Sequence, residues 1–63
     1  MSAAIDWIAI ERAMLASFRG IPLTNEQQEA IGDAFRREPE EYGRRSRSVR
    51  EGEIARVRRS GAF

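Results

Sequence analysis

Gly20-Ile21-Pro22-Leu23-Thr24-Asn25-Glu26-Gln27 decides the fold of this 63-residue chain, because these eight residues hold both a helix stop and a helix start. Upstream, good helix formers run from about Ala3 to Arg19 without Pro or Gly, and Gly20 is the natural C-terminal stop. Downstream, Thr24 offers an N-cap oxygen and Gln27, three residues on, completes a capping box. The second helix should run from about Asn25 to Arg37 and end before Pro39, since the residue preceding a proline is pushed out of the helical region. So short a connection leaves the two helices antiparallel.

Past this hairpin the signals thin out. Pro39 with Glu40 and Glu41 suits the first turn of a short helix that Gly43 ends. Ser48-Val49-Arg50-Glu51 is a second capping signature, opening a last helix to about Arg59 with Gly61 as its stop. Gly52 weakens that helix by about 1 kcal/mol relative to Ala, and its clear apolar pair is only Ile54 and Val57. The expected fold class is therefore all-α: an antiparallel helical hairpin over about 3–19 and 24–37, a short helical turn, and a weak Arg-rich C-terminal helix or arm. Two modules are expected, an acidic hairpin over 1–43 and an Arg-rich arm over 44–63, helical from 48 to 59. A helix-turn-helix arrangement fits poorly, because Pro39 falls where a recognition helix should continue.

Composition narrows the function class. The chain contains no Cys, no His and no Lys. Disulfides and ordinary zinc sites are excluded, and the commonest general base and the most readily activated nucleophile are missing. No Gly-rich phosphate loop or nucleophile elbow organises the remaining Ser, Asp, Glu and Tyr. These absences predict a non-enzymatic protein with no cofactor, no metal and no small-molecule substrate. A chain this short hides only roughly 60% of the surface its unfolded form exposes, so a protein partner or homo-oligomer is expected to help. No apolar run approaches the roughly 20 residues of a membrane span, and no secretory signal pattern opens the chain, so the expected place is the cytoplasm, or a virion if phage-encoded.

All 11 basic residues are Arg, which fits a GC-rich genome and equally fits recognition of phosphate or carboxylate. Their distribution is uneven. Residues 1–43 carry a net charge of −4, and residues 44–63 carry +5 from Arg44, Arg45, Arg47, Arg50, Arg56, Arg58 and Arg59 against Glu51 and Glu53. Guanidinium forks pair bidentately with phosphate oxygens, so the arm suits nucleic acid; an acidic protein surface, including the chain's own front half, and a simply solvated tail are the alternatives. No aromatic interleaves the run before Phe63, which argues against single-strand base stacking.

On a helical wheel the first helix gathers Trp7, Met14 and Phe18, with Ile8 and Leu15 on one shoulder and Ile10 on the other. Glu11 sits near the centre of this face, a costly place for an unpaired carboxylate. It either reaches solvent over a rim, pairs with Arg36, Arg37 or a tail arginine folding back, or marks a partner interface with Trp7, Met14 and Phe18 as anchors. Helix 2 offers Ile31, Ala34 and Phe35, flanked by Leu23 and Tyr42, and Gly32 is expected to allow close approach to helix 1.

Ser48-Val49-Arg50-Glu51-Gly52 loosely resembles the Ser/Thr-x-x-x-Glu-Gly signature of short helical antitoxins that restrain Fic-type AMP transferases. Its spacing is one residue short, so no residue role is carried over. The leading expectation is a phage- or bacterial-type accessory protein that docks through its apolar helix face and grips nucleic acid or an acidic surface with its tail. A structural subunit of a virion or ribonucleoprotein is the alternative, and an antitoxin-like inhibitor a third.

Overall fold

Asp6 starts the first helix. Its carboxylate accepts a hydrogen bond from the Ala9 backbone N–H at 3.2 Å, and α1 runs Trp7–Phe18 in the computed structural model, which describes residues 4–61. The expected start near Ala3 is corrected: Ala4 to Asp6 are non-helical, and Ala3 lies outside the described residues. An aspartate that satisfies a free N–H at the N-cap takes the chain out of the helix just upstream. The stop at Gly20 is as expected, with φ +77. Ile21 N–H bonds Ala16 O at 2.9 Å and Gly20 N–H bonds Ser17 O at 3.1 Å, the paired bonds of a Schellman ending.

Helix α2, Asn25–Arg37, also follows the expected boundaries. Thr24 Oγ1 accepts from Gln27 N–H at 3.1 Å, and Gln27 Oε1 accepts from Thr24 N–H at 2.9 Å, closing the capping box. Arg36 and Arg37 lie in its last turn, at the negative end of the helix dipole, and both bridge Asp33.

The C-terminal third differs from the sequence expectation. Instead of a short turn ending at Gly43 and a separate helix from Ser48, one helix, α3, runs Pro39–Arg59 through both Gly43 and Gly52. The boundary expected between 43 and 44 falls inside it. Pro39 opens the helix at its first turn, with Glu40 and Glu41 at the favourable end of the dipole. Glu41 then bridges forward to Arg44 and Arg45, and Glu53 to Arg56, at the three- and four-residue spacings that support helices. Tyr42 and Val49, seven residues apart, tie the same face to the core. Ser48 is exposed in mid-helix and caps nothing.

All three helices pack on one another. Their core is small: Ile10, Ala13, Met14 and Ala34 are buried, with Ile5, Trp7, Ile31, Tyr42 and Val49 packed against it. Asp6 and Ile10 share a cleft with Ala30, Asp33 and Arg37, so α1 and α2 are antiparallel. Trp7 and Glu11 meet Arg45 while Arg19 meets Glu53, so α1 and α3 run the same way. The inward face of α1 is centred on Ile10 and Met14 rather than between Trp7 and Phe18. Its two neighbours lie on different sides, and the buried arc falls between them. Gly32 is exposed, and a Cβ there would meet nothing within 4 Å, so it does not serve a close helix approach.

Candidate anion-binding face of the third helix

The seven arginines expected to form a tail divide by what they touch. Arg44 pairs with Glu41 at 2.8 Å, Arg45 with Glu41 at 2.6 Å and Glu11 at 3.3 Å, and Arg56 with Glu53 at 2.8 Å. Arg47, Arg50, Arg58 and Arg59 are exposed and form no ion pair or side-chain hydrogen bond among the described residues. Exposed cations with no carboxylate partner keep their full capacity for an external anion. The paired three fasten α3 to the rest of the molecule or to itself.

Arg45 holds the most crowded position. Its guanidinium lies 4.8 Å from the centre of the Trp7 ring while reaching Glu11 and Glu41. Glu11 forms the expected kind of pair with a tail arginine, while Arg36 and Arg37 both bridge Asp33. The pair is half-buried, with side-chain exposures of 36% for Glu11 and 34% for Arg45, so its effect belongs with partly solvated bridges. Glu11→Ala should lower the unfolding free energy by about 0.5–1 kcal/mol, not by several. A urea unfolding curve displaced further would show that the carboxylate is more deeply buried than its geometry indicates.

A second clasp closes farther along. Glu53 receives two hydrogen bonds from Arg19, at 2.8 and 3.2 Å, and two from Arg56, at 2.8 and 3.1 Å. These donors hold its carboxyl well below the usual range, at about 2, with Arg56 the larger cause and Arg19 the next. The folded pKa is depressed, so this clasp contributes fully above pH 4.5, the ordinary value, and is lost as pH falls towards about 2. Sequence reasoning missed this contact, because nothing in the local pattern ties Arg19 to a residue 34 positions away.

The apolar residues proposed for a partner on α1 are separated by the fold. Met14 is in the core, Trp7 is half-buried under Arg45, and Phe18 remains 42% exposed. The open apolar side of α1 is instead marked by Ile8, 65% exposed, with Leu15 half-buried beside it. Two shallow clefts of about 220 and 190 Å³ lie between the helices. Both fall below the roughly 300–1,000 Å³ of typical ligand pockets. Among the described residues no three His, Cys, Asp or Glu side chains gather as metal ligands, and no helix is long and apolar enough to cross a membrane. No family model, curated protein or solved structure matches this chain.

Proposed function

We propose that the protein is a small non-enzymatic binding protein, of the accessory type carried by phages or bacteria and acting in the cytoplasm or a virion. In this reading the arginine face of α3 engages a polyanion, and the outer side of α1, with Ile8, Leu15 and Phe18, serves a protein partner. The observation that carries it is the unequal pairing of the seven arginines. Four of them stand exposed along one helix with no carboxylate partner among the described residues, while the other three are each held by a glutamate.

Deleting residues 44–63 would strip Val49 and Arg45 from the bundle, so the appropriate test is substitution. Arg47, Arg50, Arg58 and Arg59 are changed together to Gln, and binding to mixed-sequence oligonucleotides is followed across a salt series. The wild-type affinity should fall steeply with salt, and the quadruple variant should lose about 2 to 4 units of that logarithmic slope, about one for each arginine that neutralises a phosphate. An unchanged slope would sink the proposal.

A second reading, a structural subunit ordered by its neighbours in a larger assembly, is favoured by a different observation. Among the described residues four are buried, while Ile8, Ile21 and Phe35 are each more than half exposed. Such a subunit should not unfold cooperatively when isolated.

A further inference from the structure

We infer that α3 seats its C-terminal stretch, residues 47–59, in the major groove of B-form duplex DNA, with Arg47 and Arg58 on base edges and Arg50 and Arg59 on the flanking phosphates. This rests on the polyanion reading and narrows it.

The argument begins with where the helix is held. Tyr42 and Val49 define its inward direction. At 3.6 residues per turn, Arg47 and Arg58 fall within about 30 degrees of the opposite, outward direction. Arg50 and Arg59 fall about 90 degrees to either side. A helix about 10–12 Å across fits a major groove about 12 Å wide, which brings its two flanks to opposite phosphate rows and its outermost residues to the groove floor. Arg47 and Arg58 are separated by about 16 Å along the axis, or about five base-pair steps.

The other residues on this face distinguish a groove floor from a simple backbone grip. Glu51 points the same way as Arg58 and is exposed. A carboxylate there repels phosphate, yet it suits the amino group of cytosine. Ile54, 42% exposed, lies on the same side, where an apolar group can meet a thymine methyl. The site is also reachable. Past Glu53 no ion pair or side-chain hydrogen bond among the described residues ties α3 to another helix. The 21-residue helix also outlasts the 12 residues of α1 and the 13 of α2. Pro39, which would interrupt a recognition helix from within, instead begins this one.

Randomised pools of duplex DNA, duplex RNA and single-stranded DNA at one fixed salt concentration test the inference by fluorescence anisotropy. Duplex DNA should bind tighter than duplex RNA by about tenfold or more, because the deep, narrow major groove of A-form RNA does not admit a helix. Selection from the DNA pool should enrich a site of about five base pairs. R47Q/R58Q should flatten that enrichment, and R50Q/R59Q should weaken all sequences alike. Among the described residues none of the four arginines has an ion-pair or side-chain hydrogen-bond partner, so each variant should keep the wild-type circular dichroism spectrum, which is recorded as a folding control. Equal affinity for duplex RNA, or no enrichment, would overturn the groove placement and leave the polyanion reading standing. Binding to poly-glutamate in preference to any nucleic acid would overturn it in favour of an acidic protein surface. No binding to any of these polyanions would remove both.

Discussion

Changing Gly32, Gly43 and Gly52 together to alanine should raise the unfolding free energy by about 2–3 kcal/mol, an increase that the urea midpoint would report directly. Each glycine lies inside a helix and is exposed, and a Cβ built on any of them meets nothing within 4 Å. What alanine changes is therefore the backbone freedom of the unfolded chain and the helix propensity, each site contributing up to about 1 kcal/mol. The sites are well separated and share no partner, so their effects should add. Gly20 provides the contrast: its φ of +77 is left-handed, and Gly20→Ala should destabilise despite equally open space. A triple variant no more stable than wild type would mean that one of these glycines meets another surface.

Met14→Ala should act in the opposite direction and more severely, at about 2–5 kcal/mol. Met14 is 3% exposed and joins Ile10 and Ala34 at the point where all three helices meet. A core in a chain of this size rarely supplies more than about 3–5 kcal/mol, so the single variant should be largely unfolded at room temperature. Measured in the triple-alanine background, its loss becomes quantifiable. The wild-type curve from the same experiment also separates the two functional readings, since a self-standing binding protein melts cooperatively on its own and a subunit ordered by neighbours does not.

The hairpin was legible because its signals are local. Gly20 and the Thr24–Gln27 box act within a few residues of themselves, and α2 keeps its expected ends. Asp6 is an equally local N-cap, hidden in the sequence by the helix formers on either side of it. For α3 the local signs pointed the wrong way, since Gly43, Ser48 and Gly52 each suggest an interruption. What overrides them is tertiary: Tyr42 and Val49, half-buried, pack against the core that α1 and α2 form, and Arg45 and Glu53 reach back to Glu11 and Arg19. Contacts across 34 residues leave no periodic trace in a single sequence. The arginine cluster itself was visible, but its division into clasping and unpaired members depends on which carboxylates the fold brings near.

The link between α2 and α3 is one residue long. Glu38 ends one helix and begins the next, with φ −137 and ψ 68, and Phe35 and Tyr42 brace across it in an edge-to-face contact at 5.4 Å. Glu38 is thus a pivot, and α3 is a lever about 31 Å long. A change of 10 degrees at that pivot swings the far end by about 5 Å, more than a base-pair step, while leaving every bond inside α3 intact. The aim of Arg58 and Arg59 is accordingly set jointly, by one pair of backbone angles some twenty residues away, by the two aromatic rings that steady them, and by the clasps of Arg45 on Glu11 and Glu53 on Arg19.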